Sequence, residues 1–222
     1  RTVFPGAPHY SFVLLIFLPL YSYIYFKRKR HSYFYGMVLC LFFINLILTF
    51  TRISWIAVTI QGILFLFLLR PKKILRFVIP GGLCFLFMSG RILTRITTIE
   101  GSALGRIVLF QHGLNIFKSY PVVGSGLGTI LESEGIATHG DYMKMFAETG
   151  IFGGLGYLIL LFTIITFTVK NFQESDFAMI SFITIIGFMI FSLTDNGLAY
   201  SQIFWALQGI YHGLIIREKF IK

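Results

Sequence analysis

Charged side chains, and acidic ones above all, are scarce in this sequence. Asp and Glu together number nine in 222 residues, and charged residues of all kinds make up 13% of the chain. Apolar residues make up 56%, and the mean hydropathy is +0.80. A soluble domain has no interior large enough to remove that much apolar surface from water. The composition therefore excludes a soluble globular protein and predicts an all-α polytopic membrane protein.

Cysteine is almost absent, and so are the signals of disorder and of secretion. Cys40 and Cys84 both lie within apolar runs, so we interpret them as small buried hydrophobic residues. They cannot provide a disulfide framework. The sequence shows no low-complexity tract and no signal peptide with a cleavage site. It begins at Arg1 rather than at methionine, and we therefore expect a chain that lacks earlier segments.

Seven apolar runs are the candidate membrane spans of what we treat as a single membrane domain, residues 1–222. A spanning helix needs roughly 20 residues. Several runs must therefore recruit flanking residues, whereas the fifth is long enough to begin outside the bilayer. The runs are 11–26, 33–50, 53–69, 74–89, 142–169, 177–194 and 198–216.

The net charge of +10 is distributed unevenly between the two sets of loops. In a soluble protein such a charge would suggest a nucleic acid partner, but the predicted spans explain it without one. Alternate loops hold 12 basic residues and three acids on one side, and seven basic residues and six acids on the other. The positive-inside rule places the first side in the cytoplasm. Lys222 is then cytoplasmic, and residues 90–141 form one long external loop.

The external loop contains a helical pattern followed by a glycine-rich turn. An apolar stripe recurs at steps of four and three residues and predicts an amphipathic helix on the outer membrane surface; its members are Ala103, Ile107, Phe110, Leu114 and Phe117. Pro121 ends this helix, and the sequence VVGSGLG follows. Its glycines could cradle a phosphate, but no strand precedes them and no lysine follows at P-loop spacing. A flexible turn is therefore favoured.

The long fifth span begins with polar residues and continues with glycines. Asp141 is a plausible N-cap for the helix that starts at Tyr142. Glu148 is expected to support the mouth of this helix through hydrogen bonds. Gly150 and Gly154, at GxxxG spacing, give the helix a face of small residues on which another helix can pack.

Three external side chains are candidates for chemistry, and each also has an ordinary explanation. Arg52 lies between two apolar runs, where an arginine is costly without a partner unless it snorkels to lipid headgroups. Arg106 borders the amphipathic stripe, where a solvated helix face would explain it. His139 directly precedes a predicted helix N-terminus, but a histidine in a loop needs no function.

Together these three residues suit group transfer from a lipid diphosphate to a hydroxyl. Two guanidinium groups can grip a diphosphate and offset its charge as it leaves, as a divalent metal does elsewhere. A helix N-terminus favours the same anion and keeps His139 neutral and able to accept a proton. A metal site that combines His139 with Asp141 and Asp195 is disfavoured, because neighbouring arginines would repel a cation. Both aspartates remain possible bases.

Three segments resemble the O-antigen ligase and polymerase superfamily of bacterial membrane glycosyltransferases. They are TRISW at the outer end of a span, GRIVLFQHGLNIFKSYPVVGSGLG in the external loop, and HGDYMKMFAETGIFGG. In the last, the family has a histidine, a small polar residue, nine residues, glycine, two residues and glycine. His139, Gly150 and Gly153 fit this pattern. Gly140 stands where the family usually has Asn, Ser or Gln, and Gly154 stands where the ligases proper usually have Thr. Both departures weaken the resemblance to the ligases more than the resemblance to the superfamily.

The resemblance implies a GT-C-like fold of which this chain is the C-terminal portion, without several N-terminal helices. It also implies metal-independent, inverting transfer, with no cofactor, at the outer face of the bacterial cytoplasmic membrane. The donor would be a glycan on undecaprenyl diphosphate. The acceptor would be lipid A core in lipopolysaccharide synthesis, another glycan unit or a protein hydroxyl, and the sequence leaves this choice open.

The resemblance also implies roles for individual residues. Arg52 and Arg106 would bind the diphosphate. His139 would activate or position the acceptor hydroxyl. The residues expected to support them are Arg95, Asp141 and Glu148.

The rival hypothesis is a polytopic transporter or flippase of lipid-linked glycans. Such a protein should carry ionisable residues near the bilayer midplane. No charge falls clearly inside an apolar run, and interhelical hydrogen bonds explain the modestly polar residues there, which are Asn45, Thr49, Gln61 and Gln208. The sequence therefore favours the enzyme. A purely structural assembly partner is also disfavoured, because it leaves Arg52 without a reason.

Overall fold

The computed structural model describes residues 7–27, 32–69, 100–129, 140–198 and 201–221. Within these residues the regular structure is helical and no strand occurs, so the all-α prediction is confirmed. The helices are α1 (Ala7–Lys27), α2 (Ser32–Leu48), α3 (Arg52–Leu69), α4 (Glu100–Ser119), α5 (Asp141–Lys170), α6 (Asp176–Phe191) and α7 (Gln202–Ile221).

Six of the seven predicted spans correspond to helices, and the fourth, 74–89, lies outside the described residues. By length and composition, Pro8–Lys27, Arg52–Leu69 and Asp141–Lys170 can cross a membrane, whereas Tyr33–Leu48 and Asp176–Phe191 are shorter apolar helices. The chain is thus an all-α polytopic membrane protein. The amphipathic helix predicted in the external loop is α4.

The chain divides into two compact units. The first comprises Arg1–Leu86, Ile164–Phe191 and Tyr200–Lys222, and the second comprises Phe87–Thr163 and Ser192–Ala199. The single membrane domain expected from the sequence stays a prediction.

In the first unit, α6 packs against α1, α3 and α7. Most of the α6 surface is buried, and the remaining face, which includes Phe182, Ile186 and Met189, is half-buried. A helix that is apolar all round is covered by its neighbours in this way or faces a membrane. The Phe12 ring contacts Phe188 and Phe191 at centroid distances of 6.0 and 5.1 Å. The Phe188 ring stacks on Phe204 at 4.1 Å. Aromatic contacts therefore join α1, α6 and α7.

Interhelical hydrogen bonds account for two of the polar residues in the apolar runs. Gln61 Nε2 donates to the carbonyls of Leu15 and Ile183, at 3.3 and 3.2 Å. Ser181 Oγ donates to Gln208 Oε1 at 2.5 Å. These bonds hold α1, α3, α6 and α7 in register. Asn45 and Thr49 bond to backbone carbonyls of their own segment, as hydroxyl and amide side chains in apolar helices commonly do.

The helix ends of the first unit meet as alternating spans require. Lys27 forms an ion pair with Asp176 at 2.6 Å, and Lys219 forms one with Glu174 at 3.3 Å. All four residues belong to loops that the topology prediction places in the cytoplasm. At the opposite ends of α1 and α3, the hydroxyls of Ser11 and Ser54 lie 2.8 Å apart. This arrangement agrees with the predicted direction of each helix.

Candidate functional site

The predicted site residues fall in different parts of the structure. Arg52 begins α3 in the first unit, and Arg106 lies on α4 in the second, where its side chain is not described. Asp141 and Glu148 are buried on α5. His139 and Arg95 lie outside the described residues. The convergence of Arg52, Arg106 and His139 therefore stays a prediction.

A tight turn places Arg52 at the first residue of α3. Phe50, with φ 51°, reverses the chain after α2, and the Thr51 carbonyl accepts the Ser54 amide at 3.1 Å. The bond between Ser54 and Ser11 ties this end of α3 to α1. A cation beside the positive end of a helix dipole is electrostatically unfavourable. The half-buried Arg52 and the first amides of α3 would therefore both be stabilised by an anion such as phosphate.

Helix α5 is broken at Gly150, whose φ of 68° and ψ of −167° lie outside the helical region. The Ile151 amide donates to the Pro121 carbonyl at 2.9 Å instead of to its own helix. The break separates residues 141–149 from residues 151–170. The second segment has 20 residues, which at 1.5 Å each span about 30 Å, the thickness of the hydrocarbon core.

The glycine-rich turn is bound to α5 at this break. The amides of Ser125 and Gly126 donate to the carbonyls of Ala147 and Glu148, at 3.0 and 2.9 Å. We call this set of backbone bonds, together with the bond from Ile151 to Pro121, the latch. The sequence favours a flexible turn here, but the structure fixes the turn against the helix. The latch joins the C-terminal end of α4 to the first segment of α5.

Glycine is required on both sides of the latch. A Cβ on Gly150 would lie 2.2 Å from the Val122 carbonyl oxygen, and one on Gly124 would lie 2.3 Å from the Glu148 carbonyl. Gly153 is equally confined, because its Cβ would lie 2.0 Å from Thr149 Oγ1. Of the two glycines of the family pattern, Gly150 thus serves the break and the docked turn, whereas Gly153 leaves room for the Thr149 side chain of its own helix. The helix-packing face expected from the GxxxG spacing stays a prediction.

The apolar stripe of α4 is only partly covered. The Phe117 ring contacts Phe146 on α5 at a centroid distance of 5.8 Å. Nearer the helix start, Ile107 and Phe110 are exposed. This exposure is compatible with the predicted position of α4 at a membrane surface.

Asp141 is fully buried at the start of α5, but it does not cap its own helix. The Gly140 carbonyl accepts the Lys144 amide at 3.3 Å, so Gly140 is the N-cap residue and Asp141 is the first residue of the helix. Asp141 Oδ2 accepts the Leu198 amide at 3.0 Å, and the Asp141 amide donates to the Ser192 carbonyl at 2.9 Å. The N-cap expectation is therefore wrong, and the carboxylate binds residues 192–198 instead.

Gly140 allows residues 192–198 to approach. Its φ is 102°, and a Cβ there would lie 2.9 Å from the Leu193 carbonyl oxygen. The residue that departs from the usual family pattern is thus the one that this backbone contact requires to be glycine.

Glu148 contributes to the latch through its backbone carbonyl. Its side chain is 3% exposed, and Oε1 has no hydrogen-bond partner among the described residues. The support that the sequence predicts from its carboxylate is not seen at this atom. The sequence also gives no indication of Ser192 or Tyr157, whose side chains adjoin Asp141, because they lie 51 and 16 residues away from it.

A family model described as O-antigen ligase matches residues 35–158, which is more than half of the chain. The matched segment includes Arg52, Arg106 and His139, together with the break at Gly150. No curated protein and no solved structure matches the chain. The family match confirms the resemblance carried by the three sequence segments. This chain belongs to the O-antigen ligase family.

Proposed function

We propose that this protein transfers a glycan from an undecaprenyl-diphosphate-linked donor to an acceptor hydroxyl at the outer face of the bacterial cytoplasmic membrane. Family membership indicates glycan transfer in the synthesis of the cell envelope. The observation that carries the finer proposal is the extent of the family match, which covers both arginines and His139 in one segment.

In the proposed reaction, Arg52 and Arg106 hold the diphosphate of the donor. The acceptor oxygen attacks the anomeric carbon, and the bond from that carbon to the diphosphate oxygen breaks. The leaving diphosphate takes the electron pair, and the two guanidinium groups stabilise its charge without a metal. A single displacement of this kind inverts the configuration of the anomeric carbon. The position of Arg52 at the N-terminus of α3 supports its role in binding the diphosphate, because its guanidinium group and the first amides of the helix both favour an anion.

His139 accepts the proton of the attacking hydroxyl, or positions that hydroxyl. It precedes Gly140, the N-cap residue of α5, and the positive end of a helix disfavours an imidazolium ion. A neutral imidazole is the form that accepts a proton. The contacts of Gly140 and Asp141 with residues 192–198 hold the backbone that follows this side chain.

The test is transfer by purified variants in which one cation or the imidazole is removed. Arg52→Ala, Arg106→Ala and His139→Ala should each reduce transfer by roughly 100-fold or more while the protein still inserts and accumulates. Arg52→Lys should recover only part of the activity, because an ammonium group cannot form the bidentate contact. Matched controls are Lys118→Ala, an exposed cation in the last turn of α4, and Arg217→Ala, an exposed cation of α7. Both should retain transfer.

Three results would contradict parts of this proposal. Full transfer by His139→Ala would remove the base assignment. Loss of transfer on chelation would favour a metal-dependent reaction, and retention of configuration in the product would exclude a single displacement. A glycan profile of a deletion strain identifies the acceptor: uncapped lipid A core indicates a ligase, whereas accumulated single lipid-linked repeats indicate a polymerase.

A further inference from the structure

The glycine-rich turn exposes three large apolar side chains. Val122, Val123 and Leu127 are 54%, 76% and 77% exposed. A single exposed apolar residue needs no explanation, but a group of them in one short turn marks a surface that contacts a partner or a membrane. No charged residue occurs from Ser119 to Gly128. Because the latch holds the turn against α5, these side chains are presented on a fixed backbone.

The latch places this turn beside the start of a membrane-spanning segment. The Pro121 carbonyl accepts the amide of Ile151, the first residue after the break in α5, at 2.9 Å. From there to Lys170 the helix is apolar and long enough to cross the hydrocarbon core. Its exposed apolar surface begins at once, with Ile151 and with Phe152, which is 73% exposed. The apolar surface of the turn therefore continues the lipid-facing surface of the spanning helix.

The residues around the turn indicate a shallow position in the membrane. Lys118 lies in the last turn of α4, and the Tyr120 side chain is 55% exposed. A lysine and a tyrosine beside an apolar segment are typical of the membrane interface, where their polar ends reach the headgroups.

The backbone of the turn also suits the interface. Irregular backbone is costly in hydrocarbon because its polar groups lose their water partners. The amides of Gly124, Ser125 and Gly126 all donate to carbonyls of the protein, so much of this cost is already met. At the boundary between headgroups and acyl chains, the side chains reach hydrocarbon while the backbone stays close to water.

We propose that Val122, Val123 and Leu127 insert into the lipid leaflet next to the start of the spanning segment. The topology predicted from the sequence makes this the outer leaflet. The partner is the acyl-chain layer of the bilayer, and removal of the three side chains from water supplies the attraction. Because the latch joins the turn to residues 141–149, insertion also fixes the depth of that segment in the membrane. The inference does not rest on the proposed reaction.

The experiment measures the surroundings of single nitroxide labels on the full-length protein in lipid nanodiscs. Labels are attached at Val123→Cys and Leu127→Cys in a parent that lacks Cys40 and Cys84. Power-saturation electron paramagnetic resonance then compares collisions with oxygen, which concentrates in hydrocarbon, and with a nickel chelate, which stays in water. Because both labelled side chains are exposed, the variants should unfold at the temperature of the cysteine-free parent.

Two reference sites calibrate the measurement. Ile159→Cys labels an exposed side chain of the spanning segment, and Asn115→Cys labels an exposed polar side chain of α4. The ratio of oxygen to nickel collisions at Val123 and Leu127 should be several-fold higher than at Asn115 and should approach that at Ile159. The corresponding depth is about 5–10 Å, as for other interfacial segments.

Two other results would overturn the inference. A ratio at Val123 and Leu127 equal to that at Asn115 would show that the turn lies in water. Few collisions with either reagent would show that protein, and not lipid, covers the turn. None of these measurements involves glycan transfer, so an inactive protein with lipid-exposed labels contradicts the proposed function alone, and an active protein with water-exposed labels contradicts the insertion alone.

Discussion

Gly150→Ala should destabilise the protein by disrupting the latch between the glycine-rich turn and α5. The new Cβ would lie 2.2 Å from the Val122 carbonyl oxygen and 2.7 Å from the Gly124 amide nitrogen, and both are backbone atoms that cannot rotate away. The alanine would also occupy φ 68° and ψ −167°, a region that is essentially restricted to glycine, at a cost of roughly 1–3 kcal/mol.

The magnitude follows from the bonds that the clash breaks. To relieve it, the turn must move away from the helix, which removes the three backbone hydrogen bonds of the latch. Each contributes about 0.5–1.5 kcal/mol net. With the backbone strain, the expected loss in the free energy of unfolding is roughly 3–7 kcal/mol. Transfer activity should fall as well, because the latch positions the segment that follows His139.

The assay is thermal unfolding of purified variants in detergent, followed by size-exclusion chromatography, together with protein level in membranes. Gly156→Ala is the control, because this glycine lies on the same helix and its Cβ would have no neighbour within 4 Å. It should be neutral or stabilise the helix by up to about 1 kcal/mol. If Gly150→Ala unfolds at the temperature of Gly156→Ala, the backbone at the break does not depend on glycine and the latch argument is refuted.

Gly124→Ala should destabilise the protein to a similar extent. Its effect should not add to that of Gly150→Ala, because both substitutions disrupt the latch, and full additivity in a double-mutant cycle would show that the two sites are independent. Gln61→Leu should lower the unfolding temperature by removing two interhelical bonds, worth about 0.6 kcal/mol each in membrane proteins, and an unchanged temperature would show that neither bond contributes. Lys27→Ala should change stability by no more than about 1 kcal/mol, because its ion pair with Asp176 is solvent-exposed; a larger loss would show a buried network there.

The sequence predicted the helices well, because hydropathy and periodicity are local properties. Each apolar run that the structure describes is a helix, and the stripe that includes Phe110 and Phe117 predicted α4. The family was also predictable, because the resemblance depends on the order of three short segments, all of which lie within residues 35–158 that the family model matches.

The contacts of the site could not be predicted in the same way, because they join residues far apart in the chain. The GxxxG spacing indicates a face of small residues but gives no sign that the φ of Gly150 is positive. The backbone that contacts this glycine lies in a turn more than 20 residues earlier in the chain. Asp141 has the position of an N-cap by local pattern, but its carboxylate binds Leu198, 57 residues later. Only the fold determines which of these partners is chosen.

The central claim is that Arg52, Arg106 and His139 converge on one diphosphate. The most direct measurement is a cryo-electron microscopy structure of the full-length protein bound to undecaprenyl diphosphate in a nanodisc. The proposal predicts both guanidinium groups within about 3 Å of diphosphate oxygens, and the His139 imidazole on the same outer face. A diphosphate bound elsewhere, or either arginine on the opposite side of the membrane, would contradict it.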